Sequence, residues 1–361
     1  MSATSKLARR TMVVTNLPLA LLKPEAMKPE ITSAPVLSVF QRGLLLLAAM
    51  LAMFGWLVMT SRIMSDVHPI WDLASHVSWH AWLALSIVLL TACLSLRTTN
   101  REERLRWWHR FIMVAPPWLY LTWVCSPWTV LPLAANDANA KGLKVMSWNV
   151  WVMNKTPDQV VKLIEESKAD VVVMVEVGLE QTTVYKQLET IYPYSLWIPE
   201  RSSRGIAILS RIEGTLFRTI DLADQGMPAI EAEIPETSNH SGFHVIGVHT
   251  LSPGLRKRTL IRNRQLQGLS EWASALKTKG VIIGDLNITP WSPPFTRLLQ
   301  QGNLVDSRCF RGNFASWPTD LGVLGIPIDH ALVTKGTTVL HRDVGPLAPD
   351  SDHRPITVIV Q

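Results

Sequence analysis

The sequence predicts an α/β protein: a layered α/β sandwich over residues 143–361, preceded by an all-α membrane region of three transmembrane helices. Three observations carry this expectation. Three long uncharged apolar runs precede residue 135. From Leu143 the texture changes, and short apolar runs alternate with amphipathic helical stretches, as in layered strands and helices. The chain is also 47% apolar with a positive mean hydropathy, +0.16, which points to membrane segments.

Residues 1–35 are polar and proline-containing with scattered positive charge, and are expected to be a disordered tail. The membrane region follows at 36–135, with spans near 43–60, 77–96 and 111–134. Each is close to the roughly 20 residues a helix needs to cross a bilayer core. Nine of the 15 tryptophans fall in this half, and Trp79, Trp107 and Trp108 stand near run ends, as in an interfacial belt. The third run contains Pro116, Pro117, Pro127 and Pro132, so a kinked or re-entrant segment is its alternative. Six Lys/Arg precede the first run, only Arg62 falls between the first two, and five arginines lie in 97–110. By the positive-inside tendency the N-terminus is cytoplasmic. Three crossings then make this a multi-pass inner-membrane protein whose C-terminal domain is periplasmic. The linker 136–142, "NDANAKG", spans at most roughly 25 Å, which holds that domain close to the bilayer.

Beyond the linker, strands are expected at 143–150, 171–177, 205–210, 229–234, 243–250, 281–287, 329–334 and 356–361. "TPDQVVKLIEES" reads as a helix, with Thr156 as cap and Pro157 at the first helical position, and a second helix fits 256–277. Residues 141–361 hold 23 Lys/Arg against 22 Asp/Glu, so the domain has no global basic field of the kind that attracts nucleic acid. It has one cysteine, Cys309, which excludes a disulfide framework or a zinc-cysteine site. The cysteine-phosphatase spacing fails as well, because residue 315 is Ala315 rather than arginine.

Polar residues recur where the strands end. Asn149 closes "SWN", Glu176 comes late in the apolar "VVVMVE", and His249 closes "GVH". Asp285 and Asn287 close "VIIGDLN", Asp329 opens "DHALVT", and Asp352 and His353 stand in "SDHRPI". A lone D-x-N is an ordinary turn former. A sandwich, however, can gather such ends on one edge, giving carboxylates, amides and imidazoles together. That set suits a hydrolase with one hard cation, since magnesium takes oxygen ligands and leaves room for water and substrate phosphate.

The motifs "SWNV", "VVVMVEV", "GIAILSR", "GVHT", "GDLN", "IDH" and "SDHRPI" occur in an order that resembles the endonuclease/exonuclease/phosphatase superfamily. That superfamily includes deoxyribonuclease I, apurinic endonucleases, neutral sphingomyelinases and inositol polyphosphate phosphatases. The resemblance covers 143–361 and implies a four-layer, deoxyribonuclease I-like α/β sandwich that hydrolyses phosphate esters with Mg2+, or alternatively Mn2+. It implies Glu176 as main metal ligand, with Asn149 and Asp352 completing the metal and phosphate cradle. Asp285 would be the general base or orient the attacking water, and Asn287 would hold a phosphate oxygen. Asp329 would orient His353, which stabilises or protonates the transition state, and His249 matches a second histidine of the deoxyribonuclease-like members. Arg204 is a further substrate-binding candidate. The family often has glutamine before its glutamate, whereas Val175 precedes Glu176 here, leaving one polar neighbour fewer near the metal.

The resemblance extends to bacterial membrane-bound members, so the favoured partners are the bilayer and a lipid-linked phosphate or pyrophosphate. The alternatives are an extracytoplasmic nuclease acting on nucleic acid and a non-catalytic binding domain. Two smaller features read as bland. His68, His76 and His80 form an incidental interfacial group rather than a metal site. Arg256, Lys257, Arg258, Arg262 and Arg264 form a solvated helix face that could attract an anionic head group.

Overall fold

The computed structural model describes residues 39–95, 101–129, 134–223, 226–347 and 350–361. The tail expected at 1–35 lies outside the described residues. Four helices come first: α1 (Val39–Ile63), α2 (Pro69–Ser75), α3 (Ser78–Ser95) and α4 (Arg101–Thr129). All elements after the start of α1 belong to the unit Leu46–Gln361. Tryptophan N–H groups tie these helices together. Trp82 Nε1 donates to Thr122 Oγ1 and Trp118 Nε1 to Ser86 Oγ, both at 2.9 Å between α3 and α4. Such bonds satisfy polar groups that apolar surroundings would leave costly.

The count of three membrane helices is not matched. Among the described residues, one helical stretch, Gly43–Ile63, is long and apolar enough to cross a membrane. The second run meets that test only together with α2, across a bend of 51°. The third run overlaps the later part of α4, which starts at Arg101 and ends at Thr129; 130–133, with Pro132, lie outside the described residues. The arginine-rich segment expected as a loop is therefore helical from Arg101, and the helix carries its charges in its first turns. Pro116, Pro117 and Pro127 lie inside α4.

From Leu143 onward the described residues hold twelve strands in two sheets. The first sheet contains β1 (Leu143–Asn149), β2 (Val171–Val175), β3 (Tyr194–Ile198), β4 (Ile206–Ser210), β11 (Val339–Val344) and β12 (Ile356–Val360), in the order β11-β12-β1-β2-β4-β3. The second contains β5 (Leu216–Asp221), β6 (Pro228–Ile234), β7 (Phe243–His249), β8 (Lys279–Asp285), β9 (Leu304–Asp306) and β10 (Asp329–Thr334), in the order β5-β6-β7-β8-β10-β9. Each sheet has one parallel pair at its centre, β1 with β2 and β7 with β8, and antiparallel neighbours elsewhere.

Alternation of side chains sends one apolar row of each strand inward. Val145, Val173 and Ile208 of the first sheet meet Ile230, Val245 and Ile283 of the second in a single core. Gly247 permits the close approach of the sheets, because a Cβ there would lie 2.7 Å from Val173 Cγ1. The other row of each sheet is covered by helices. On the first sheet lie α5 (Pro157–Ser167) and α6 (Thr182–Tyr185); on the second lie α7 (Lys257–Ala275) and α8 (Pro293–Gln301). The result is the layered sandwich expected from the sequence. In α5, Pro157 starts the helix, Val160, Val161 and Ile164 form its buried stripe, and Lys168 in the left-handed region ends it. Burying each such side chain is worth about 1.5–3 kcal/mol.

The linker 136–142 is laid against the sandwich rather than hanging free. Asn136 exchanges two hydrogen bonds with the Arg342 backbone (3.1 and 2.7 Å), and the Asp137 N–H donates to Leu340 O at 3.0 Å.

Candidate active site

Strand register assembles the site. In the β7–β8 pair His249 stands opposite Asp285, and in the β8–β10 pair Asp329 stands opposite Asp285. Three polar residues are thereby neighbours across three strand ends. On the other sheet Asn149 pairs with Val175, which places Glu176 one residue past the end of β2. Glu176 and Asn287 both have left-handed backbones, at φ 60° and 49°. Non-glycine residues adopt that region at a cost, and keep it where the surrounding structure holds them there. Gly284 of "GDLN" is obligatory for another reason: at φ 150°, a Cβ there would lie 1.9 Å from Val248 O.

The side chains form one network. Asn149 Nδ2 donates to Glu176 Oε1 (3.0 Å) and to Asp285 Oδ2 (3.1 Å). The Asn287 N–H donates to Asp285 Oδ1 at 2.9 Å, and Asn287 Nδ2 to Thr250 O at 3.0 Å. Asp329 Oδ2 accepts from His353 Nδ1 at 2.9 Å, while His353 Nε2 and His249 Nε2 each lie 3.7 Å from Asp285 Oδ2. His249 Nδ1 donates to Ser203 O at 2.9 Å, which points Nε2 toward the carboxylates. Asp352 is exposed at the rim, where its carboxylate accepts the Trp317 indole N–H at 2.8 Å.

Burial sets the proton affinities apart. It pushes the Asp285 carboxyl up to about 6, helped by the charge of Asp329 and opposed by His353 and His249. Burial would lower the His353 imidazolium, but the charges of Asp329 and Asp285 outweigh it and raise the group to about 10. Burial opposes ionisation of Asp329 too, yet the His353 charge and hydrogen bond hold it below the usual carboxylate range. The pair of environments suits one proton acceptor and one proton donor at neutral pH.

These groups surround a cavity of about 460 Å³ lined by Glu176, His249, Asp285, Asn287, Asp352 and His353. Trp151, Trp317 and Arg258 line it too, as do Leu73 and His76 from the first four-helix region. Arg204 is exposed on the neighbouring loop and is not among the lining residues, whereas Ser203 beside it is. Glu176 fits a cation ligand. Its Oε1 accepts an amide proton from Asn149, and Oε2 has only a long contact from Val152 N at 3.4 Å. With Asn149 and Asp352 the donors are all oxygen, the preference of a hard divalent ion. Asp285, Asp329 and His353 also bring ligand-type atoms within 4.8 Å of one another. The Asp329–His353 hydrogen bond already joins two of them, so this trio is better placed to handle protons.

Several lining residues carry no motif. Trp317, Ser203 and Leu73 have no local signal, and only the fold gathers them. Of the histidines near 68–80, each has its own structural partner: His68 Nδ1 accepts from Ile70 N, His76 Nδ1 from Thr289 N, and His80 Nε2 bonds Leu324 O. Arg262 departs from the solvated face expected of its basic run, being fully buried. Burial pushes the Cys309 thiol up to about 12, which removes it as a nucleophile.

With no reactive thiol in play, an acceptor and a donor of protons beside oxygen ligands equip the cavity to drive water against phosphorus. The chain is in this sense a metal-dependent hydrolase of phosphate esters. It belongs to the endonuclease/exonuclease/phosphatase family, whose model matches residues 146–353. No curated protein matches. Among solved structures, a 3′ phosphatase NExo from Neisseria bound to product DNA hairpin is similar, with 21% identity, TM-score 0.50, and 61% of this chain and 99% of that chain covered. A humanized D. rerio TDP2 gives 16% identity, TM-score 0.50, and 62% and 100% coverage. Sphingomyelinase C from Streptomyces griseocarneus gives 16% identity, TM-score 0.48, and 60% and 99% coverage.

Proposed function

We propose that this enzyme is membrane-anchored, uses Mg2+, and hydrolyses a lipid-linked phosphate or pyrophosphate outside the cytoplasm. The observation that carries this reading is the cavity wall. Leu73 and His76, which follow the apolar helix α1 by about three turns of chain, line the same cavity as Glu176, Asp285 and His353. The site thus opens beside the apolar helices, where a phosphate on a lipid would be presented. The helices themselves support anchoring: Leu57 of α1, Leu90 of α3 and Trp123 of α4 are all exposed, Trp123 to 73%. Large apolar groups exposed on three helices suit a lipid surrounding better than water. Six Lys/Arg ahead of α1, against Arg62 alone just after it, favour a cytoplasmic N-terminus with the chain beyond α1 on the other side.

In this reading Glu176, with Asn149 and Asp352, holds the cation, which when bound would offset phosphoryl charge. Asp285 takes the proton from the attacking water and Asn287 steadies a phosphate oxygen. His353, oriented by Asp329, supplies a proton or positive charge to the leaving side, and His249 assists from the opposite flank. The test is the initial rate on a lipid-linked phosphate against the rate of plasmid nicking, at matched phosphate concentration. Purified full-length protein in detergent with Mg2+ is used, with Asp285→Asn as blank. Faster release from the lipid is expected; nicking with no release from any lipid phosphate would establish the nuclease reading instead.

A further inference from the structure

α2 is only seven residues long, yet it carries a buried aspartate, Asp72, exposed to 1%. Its carboxylate is committed in two directions. Oδ2 accepts from Arg262 Nη2 of α7, and Oδ1 accepts from Ser292 Oγ ahead of α8. Arg262 is itself fully buried, and its other amino group, Nη1, donates to the backbone carbonyl of Asn287 at 2.8 Å. Two residues further on, the Thr289 N–H donates to His76 Nδ1 at 3.2 Å, and Trp291 Nε1 donates to His76 O at 2.7 Å. The turn after "GDLN" is therefore clasped at Thr289, Trp291 and Ser292 by a segment 213–220 residues away in sequence, and at Asn287 by the Arg262 that the same segment holds.

We propose that α2 is a built-in part of the catalytic site: Asp72, acting through Arg262, is a positioning residue that holds Asn287 in its productive place. The chemistry explains why two charges are spent on a carbonyl. Asn287 has a left-handed backbone, so its turn relaxes unless something holds it. A guanidinium is planar and can bond Asn287 O and a carboxylate at once. Without Asp72 that guanidinium is a buried charge with no counter-ion, and it turns toward water and releases the carbonyl. Leu73, next to Asp72, lines the cavity, so the same segment that sets Asn287 also shapes the wall that substrate meets. The inference rests on the assignment of Asn287 to the site made above.

The experiment is a double-mutant cycle on full-length protein in detergent, reading hydrolysis of bis(p-nitrophenyl) phosphate with Mg2+. Asp72→Asn keeps the shape and removes the charge. Misplacing Asn287 is expected to lower kcat by about 10- to 100-fold with KM nearly unchanged. In an Asn287→Ala background the same Asp72→Asn change is expected to cost nothing more, because the group being positioned is gone. A merely structural role would lower both backgrounds by the same factor, and that result overturns the proposal. Ser292→Ala, which removes one bond to Asp72 and no charge, keeps the test open if Asp72→Asn does not fold; a smaller loss, again absorbed by Asn287→Ala, is expected. Asp66→Asn is the control. It breaks an exposed ion pair between Asp66 and Arg297, and leaves the rate unchanged. If Asn287→Ala alone keeps the normal rate, the site assignment itself fails; if Asn287→Ala is slow and Asp72→Asn is not, only the positioning fails.

Discussion

Asp329→Asn tests the proton-handling pair most directly. The side chains of Asp329 and His353 are almost fully buried, and the bond between them is 2.9 Å long. The substitution keeps the shape and a hydrogen-bond acceptor but removes the charge. A hydrogen bond to a charged group is worth about 1.5–3 kcal/mol. If that support acts on the protonated His353 in the transition state, the loss converts to about 10- to 150-fold in kcat/KM. The pH profile carries the more specific signal. His353 is raised to about 10 by Asp329 and Asp285 together, so its protonated form persists well above neutrality. A raised folded pKa means that the charged form is lost as pH rises through that value. With only Asp285 and the more distant charge of Asp352 left to hold the proton, loss begins at lower pH, and the alkaline limb of the profile moves toward neutral. The assay is the initial rate on bis(p-nitrophenyl) phosphate at saturating Mg2+ across the pH range, alongside thermal unfolding of both proteins. An unchanged rate with an unmoved alkaline limb, in a variant that unfolds at the normal temperature, would refute the pairing as a catalytic device.

Two further outcomes are expected. Glu176→Ala should raise the Mg2+ concentration for half-maximal rate by more than about tenfold; a titration with the same half-saturation would remove Glu176 from the ligand set. Stability should fall with acid because of His330, which is fully buried, accepts at Nδ1 from Arg308 and donates at Nε2 to Ile288 O. Burial, aided by the Arg308 charge, lowers its pKa to about 3, so between there and its ordinary value near 6.5 the unfolded chain binds the proton and the folded one does not. The contribution is whole above that window and lost as pH falls, by about 1.4 kcal/mol per pH unit. Chemical denaturation at several pH values measures it, and His330→Gln should flatten the slope; an equal slope in that variant would place the acid sensitivity elsewhere.

How much of this was legible in the sequence follows from burial. The eight strands expected are the eight that have a neighbour on both sides, β1, β2, β4, β6, β7, β8, β10 and β12. The four that were missed, β3, β5, β9 and β11, are the four sheet edges. An edge strand is half solvated, so its pattern is mixed: β5 reads "LFRTID" with four of its six residues exposed, and β9 is three residues with Val305 outside. Interior strands of a two-sheet sandwich are covered on both faces and read as unbroken apolar runs, as "VVVMV" does in β2. The polar residues at their ends were legible for the same reason, since a carboxylate after five buried apolar residues stands out. Arg204 was less legible, because an exposed arginine on a loop has no local feature that separates it from Arg258, which does line the cavity.

Arg262 shows a different limit. Its window reads as a basic helix face, and four of the five cations named there answer to that description; the fifth is the fully buried one. What distinguishes it is a carboxylate 190 residues earlier, between two apolar runs that composition assigns to a membrane region. A boundary drawn at Leu143 follows composition faithfully and still cuts this pair. Removing one partner from a buried ion pair costs about 3–5 kcal/mol, a large share of the roughly 5–15 kcal/mol that holds a folded domain together. The cut would also free His76 from Thr289 and Trp291. The segment 143–361 supplies the strands of the sandwich and the polar residues at their ends. On the inference drawn from Asp72, the turn that carries Asn287 is completed only by the chain that precedes it. The unit of catalysis then begins before the unit of composition, and this ties the enzyme's activity to the helices beside its site.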